Sequence, residues 1–132
     1  MDKDELKKKF IVGAEVLRDR IETLVEKALK HCVVGENGTV HISSKGMGAK
    51  NQIKVVLTAR SLASQLTNDI SATVTIDDLV ASTGLPENQI RARANELVKE
   101  HFATSPQKGI YLANAHKVEP FLDSLSLSIK GS

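Results

Sequence analysis

The chain has 132 residues, 26% of them charged and only 3% aromatic, with no Trp, one Tyr and one Cys. That length suffices for a single self-cored domain with a largely aliphatic interior, and a lone Cys32 excludes an internal disulfide and fits a reducing compartment. No apolar run of roughly 18 residues and no signal-peptide pattern occurs, Met1-Asp2-Lys3-Asp4-Glu5 being of mixed charge, so the expectation is a cytoplasmic protein without a membrane partner.

The first predicted element is a long amphipathic helix from Asp4 to His31, about 40 Å at ~1.5 Å per residue. Asp4 and Lys8, Glu5 and Lys9, Arg18 and Glu22, and Glu26 and Lys30 stand four residues apart, the spacing of helix-surface ion pairs. Lys7-Lys8-Lys9 reads as a solvated helix start. Phe10, Ala14, Leu17, Ile21, Leu24 and Ala28 alternate by four and three, a heptad seam. The seam suits either a homodimer, with Leu17, Ile21 and Leu24 as its contact, or docking on the chain's own core. Residues 32 to 42 predict a hairpin turning on Asn37-Gly38, the strongest two-residue turn signal. That loop pairs Val33 with Ile42, Val34 with His41, and Gly35 with Val40. Residues 43 to 50 read as a Gly/Ser/Lys linker; Gly46-Met47-Gly48-Ala49-Lys50 lacks the spacing of a phosphate-binding loop.

A helix from Asn51 to Leu66 follows, apolar on two sides, which marks it as an inner helix. Val55, Val56, Ala59, Leu62, Ala63 and Leu66 form the stripe assigned to the downstream module, and Ile53 and Leu57 the side assigned to the N-terminal helix and hairpin. Val74-Thr75 is a short β-branched start. Thr75 and Asp78 match a capping box, and Ile76, Leu79 and Val80 the buried stripe of a short helix. Ser82-Thr83-Gly84-Leu85-Pro86 breaks that helix, Gly84 supplying a left-handed turn and Pro86 the first position of the next helix. Ile90, Ala94, Leu97 and Val98 mark the second helix's inner face. Phe102-Ala103-Thr104, residues 105 to 109, and Ile110-Tyr111-Leu112 read as strand, turn, strand. Ala115 to Leu125 predicts a short closing helix burying Val118, Phe121, Leu122 and Leu125, with Ser126 to Ile129 a stray strand or a disordered tail.

Ser82-Thr83-Gly84-Leu85, Glu96-Leu97-Val98-Lys99-Glu100 and Lys108-Gly109-Ile110-Tyr111, in this order, resemble the winged helix-turn-helix superfamily across residues 51 to 112. The resemblance is at the level of the fold, and such folds host several functions. It implies a fold that is mainly α with small β (α+β): a winged-helix domain over 51–125, preceded by residues 1–50 packed on it and followed by a tail over 126–132. One departure is His101, standing where a glycine commonly ends the second helix.

Many members of that superfamily regulate transcription, which implies double-stranded DNA as partner. Counting from buried Ile90, the outward face of the second helix holds Asn88, Arg91, Ala92, Asn95 and Lys99. Asn can read adenine, Arg can read guanine, and Lys108 in the wing can meet phosphate. The charge balance opposes this. The formal net charge is +2, yet residues 75 to 112 carry four basic side chains against five acidic ones, whereas DNA readers commonly present a basic surface. Glu87 sits where a phosphate would approach, and Arg93 lies at the core edge, suited to an ion pair with Asp78. The alternative is a protein-interaction module in a larger assembly that binds no nucleic acid. An RNA adaptor lacks stacking aromatics. His31, Cys32 and His41 are too few and wrongly spaced for zinc, and no nucleophile has a base with an orienting third group. The sequence therefore predicts a non-enzyme without cofactor.

Overall fold

The computed structural model describes the backbone of residues 13–130 and the side chains of 16–126. Phe10, Lys7-Lys8-Lys9 and the Asp4–Lys8 and Glu5–Lys9 pairs lie outside these. Among the described residues six helices and five strands follow in order: α1 Gly13–Asp19, α2 Ile21–Leu29, β1 Cys32–Val34, β2 Val40–Ile42, α3 Ala49–Leu66, β3 Val74–Thr75, α4 Ile76–Thr83, α5 Glu87–Lys99, β4 Ala103–Gln107, β5 Ile110–Ala113 and α6 Ala115–Lys130. Within the described residues the expected N-terminal helix is two helices, broken at Arg20 (φ −113°, ψ 11°). The break tucks both pieces against α6. Leu17 and Leu24 are buried in the chain's own core and Ile21 packs against it, which is the internal docking that stood as the alternative to a dimer contact at these three residues. Arg20 and Lys27 bind Glu119 at 2.6 and 2.7 Å, and Lys27 also reaches Asp123 at 2.8 Å. Neither Arg18–Glu22 nor Glu26–Lys30 is among the ion pairs of the described residues.

The β1–β2 hairpin forms one residue out of the expected register: Cys32 pairs with Ile42, Val33 with His41 and Val34 with Val40. The reason lies in the turn. Gly38 donates to the Gly35 carbonyl (2.9 Å), Gly35 to the Thr39 carbonyl (2.8 Å), and Gly38 takes φ 89°. This is a three-residue loop closed by a left-handed glycine rather than a two-residue turn. A one-residue slip exchanges the faces. Cys32, Val34, Val40 and Ile42 now face inward, while Val33 and His41 are exposed.

Helix α3 is the centre of the molecule. Every residue from Val55 to Ala63 is buried, and α3 meets α1, α2, β1, β2, α4, α5 and β5. Its two apolar sides are used the opposite way round from the expectation. At about 100° per residue, Ile53 and Leu57 lie between Arg60, which reaches Asp78 of α4, and Lys50, which reaches Glu96 and Glu100 of α5. They therefore face α4 and α5. Ala59, Leu62, Ala63 and Leu66 face α2 and β1 instead. Arg60 is itself buried and donates to the carbonyls of Ser71 (2.8 Å), Thr73 (3.1 Å) and Gly38 (3.3 Å). It joins the hairpin turn to the segment entering β3. Three formally neutral acceptors plus one carboxylate satisfy a guanidinium that would otherwise be costly to bury.

The remaining strands form one antiparallel sheet in the order β3-β5-β4. Val74 pairs with Tyr111, and Ala103 with Ala113. The β4–β5 hairpin is longer than expected, Lys108 and Gly109 forming its tip, with a register irregularity between Thr104 and Gln107 that accommodates Pro106 on an edge strand. The capping box of α4 forms: Asp78 N–H donates to the Thr75 hydroxyl (3.1 Å) and Thr75 N–H to the Asp78 carboxylate (3.0 Å). Gly84 caps α4 at φ 72°. Val80, expected inside, is 36% exposed. Helix α6 runs on through Pro120 to Lys130, so Ser126 to Ile129 continues a helix rather than forming a strand. It buries Val118, Phe121, Leu122 and Leu125. Among the described residues no helix is long and apolar enough to cross a membrane.

Candidate nucleic-acid interface

Helix α5 buries Ile90, Ala94 and Leu97, a stripe one helical turn per step that locks the helix against α3 and α4. Its opposite face is exposed and carries Asn88, Arg91, Ala92, Asn95 and Lys99. Steps of three and four residues from Asn88 through Arg91 and Asn95 to Lys99 place these side chains in one row along the helix. Lys108, at the tip of the β4–β5 hairpin, is also exposed. All five candidates are therefore accessible from solvent.

Their local contacts differ. Arg91 donates through Nε (3.1 Å) and Nη2 (2.7 Å) to one oxygen of Glu87, one turn earlier. Asn95 accepts a hydrogen bond from the buried Tyr111 hydroxyl at 3.3 Å, which orients the amide from behind through β5. Asn88 turns its side-chain oxygen onto the Gln89 amide at 2.9 Å. Lys99 and Lys108 form no ion pair among the described residues. Arg93 pairs with Glu96 at 3.1 Å rather than with Asp78, whose partner is Arg60 at 3.4 Å. The same Asp78 carboxylate accepts from Thr75 N–H in the α4 cap. Glu96 also faces Lys50 at 3.5 Å, and Lys50 is hydrogen-bonded to Glu100. This contact lifts the Lys50 ammonium above its ordinary range and holds the Glu100 carboxyl below its own. One flank of α5 is thus a charge-compensated lattice; its outward row carries Lys99, without an ion pair among the described residues, and the paired Arg91, and Lys108 stands apart on the hairpin tip.

Contacts within one helix were open to sequence reasoning and those between elements were not. Glu87 and Arg91 have the four-residue spacing and order of a helix ion pair. Tyr111 and Asn95 lie in different elements, so their contact depends on how β5 crosses α5. The Lys50 contacts likewise depend on tertiary placement. The histidine and cysteine residues do not converge: His31 is buried with Nδ1 2.8 Å from the Ser44 hydroxyl, Cys32 donates to the Ala28 carbonyl at 3.5 Å, and His41 is exposed on the other face of the hairpin. Burial raises the Cys32 thiol to about 11, so it is protonated at neutral pH and poorly suited to nucleophilic chemistry. Comparison of the chain with protein-family models, curated proteins and solved structures finds no match.

Proposed function

We propose that the chain is a winged helix-turn-helix domain that binds double-stranded DNA, with α5 as the reading helix and the β4–β5 hairpin as the wing, in the manner of a transcription regulator. The element order from α3 to β5, the left-handed Gly84 turn between α4 and α5, and the strand order β3-β5-β4 support the fold reading. The observation that carries the function is the exposed row Asn88, Arg91, Asn95 and Lys99 on a helix whose other face is locked into the core. Such a helix can enter a major groove without unfolding anything. Arg91→Ala then removes a base-edge contact, costing about 1–3 kcal/mol and relaxing preference at one base position. Lys108→Ala weakens all sequences alike and flattens the salt dependence by about one unit. Glu87→Gln frees Arg91 and removes a negative charge from the approach to the helix, so it tightens binding. Titration of random duplex DNA at low and physiological salt tests all three, and absence of binding at low salt overturns the reading.

A second reading is a protein-interaction module. It rests on the compensated charges around α5: Glu87 with Arg91, Arg93 with Glu96, and Lys50 with Glu96 and Glu100. A surface so neutral gains little from phosphate neutralisation.

A further inference from the structure

An apolar cleft of about 330 Å³ opens between α2, β1 and the C-terminal half of α3. Three large hydrophobic side chains stand at its mouth: Leu29, 58% exposed, Val33, 54%, and Leu66, 64%. Among the described residues the only other exposed large hydrophobic is Val80. Isolated surface leucines need no explanation, but three converging on one cleft do. The cleft lies on the far side of the central helix from α5. Ala59, on its floor, is nine residues from Lys50, about half a turn round α3, and Lys50 is the residue that meets α5.

The rim is acidic. Glu22 and Glu26 stand one turn before Val25 and Leu29 on α2, Glu36 lies in the hairpin turn beyond Val34, and Asp69 sits between the lining residues Thr67 and Ile70. All four are exposed, and none has an ion-pair partner among the described residues. Of the nearby cations, Lys27 of α2 is taken up by Glu119 and Asp123, and Lys30 caps the helix after Leu29. This charge pattern decides between occupants. A second copy seated groove to groove would bring the same carboxylates face to face, because a two-fold contact is self-complementary. A small molecule would find few polar anchors: the lining offers little beyond Thr67, and the Cys32 thiol is turned to Ala28.

We propose that this cleft is the docking site for an amphipathic helix of a partner protein, with an aliphatic stripe flanked by lysine or arginine. The partner's aliphatic side chains fill the space between Leu29, Val33 and Leu66, and its cations meet Glu22, Glu26 and Asp69. Helix-in-groove recognition of this kind is read through anchors three, four and seven residues apart. The site is independent of α5, so a partner held here leaves the reading helix free.

The test uses the full chain and two synthetic helical peptides with the same leucine stripe, one flanked by lysines and one by glutamates. Binding is followed by amide shifts in two-dimensional NMR. The lysine peptide is expected to shift residues around Leu29, Val33 and Leu66, and to weaken as salt is raised. The glutamate peptide is expected not to bind. Leu66→Asp, at an exposed position, should abolish binding while leaving the melting temperature within a few degrees. Glu22→Lys with Glu26→Lys should weaken it about tenfold, two attractive contacts being replaced by repulsive ones. Absence of lysine-peptide binding overturns the proposal, as do equal binding of both peptides or shifts mapping elsewhere. So does a dimer in sedimentation that Leu66→Asp dissociates, which would make a second copy the occupant. None of these outcomes bears on DNA binding through α5.

Discussion

His101 has φ 66°, the only positive value among the described non-glycine residues. It occupies the position that follows the α5 cap, where a left-handed backbone lets the chain turn out of the helix. The hydrogen bonds that require this are present: Phe102 N–H reaches the Leu97 carbonyl (3.0 Å) and His101 N–H the Val98 carbonyl (3.1 Å). Leu97 and Phe102 are both buried across the turn, completing a Schellman-type stop. Asn114 secures the site by donating to the His101 carbonyl at 2.9 Å. The departure from glycine therefore changes the residue and not the exit. Because a side chain in this region costs about 1–2 kcal/mol, His101→Gly is expected to stabilise the protein by about 1 kcal/mol, read as a higher denaturant midpoint with unchanged slope. An unchanged or lower midpoint would mean that the imidazole itself contributes to the fold. The sequence marked this position by the missing glycine, since helix stops are local. Nothing comparable marked Arg60. Its acceptors at Gly38, Ser71 and Thr73 come from loops that only the finished fold brings together.

At the scale of elements, local chemistry was legible and partner choice was not. The Thr75 capping box, the Gly84 turn and the inner stripe of α5 follow from side chains within a few residues of one another. The hairpin existed as expected, but Asn37-Gly38 also fits a three-residue loop, and one residue of difference moved Cys32 inward and Val33 outward. Helix α3 was legible as central because it is apolar on two sides. Which side met which neighbour was not, because both sides are aliphatic and periodicity carries no address. The heptad seam is ambiguous for the same reason, since Leu17 and Leu24 suit a second chain as well as they suit α3 and α6. Their burial leads to a definite expectation. Leu24→Ala should cost about 2–5 kcal/mol of folding stability, while the sedimenting mass at micromolar concentration stays unchanged. A variant that keeps wild-type stability but sediments at a lower mass would restore the seam to a dimer interface. That Asn88, Arg91, Asn95 and Lys99 share an exposed face of α5 was legible, since a helix face is fixed by spacing. The Glu87 and Tyr111 contacts that condition its behaviour belong to the folded molecule.

At the scale of the whole molecule, two protonation equilibria divide its response to acid. His31 is 1% exposed, and burial holds its imidazole below the ordinary value of 6.5. The unfolded chain therefore takes up that proton first, so the contribution is complete above roughly pH 6.5 and declines as the pH falls below it. Glu119, hydrogen-bonded to Arg20 and Lys27, is held at about 2 against an ordinary 4.5. Its contribution is present above about pH 4.5 and is lost as the pH falls toward 2. Denaturant midpoints measured from pH 8 to pH 2 should decline in two stages. His31→Gln should remove the upper stage and Glu119→Gln should shrink the lower, to which Glu100 beside Lys50 also contributes. A midpoint flat between pH 7 and 5 would remove His31 from the account.

The bridges from Arg20 and Lys27 to Glu119 and Asp123 span 92 to 99 positions of sequence. On the ribosome, that distance is time. While the chain is being made, α1 and α2 are synthesised long before α6, and until it arrives a wall of their core is missing. The nascent protein must therefore carry Leu17 and Leu24 partly uncovered until α6 has been made, and long-range closure of this kind slows folding relative to a local helical bundle. A product cut short before Ala115 would never be covered. Such a fragment would have the exposed apolar surface that chaperones hold and proteases clear, so quality control of this protein depends on the arrival of α6.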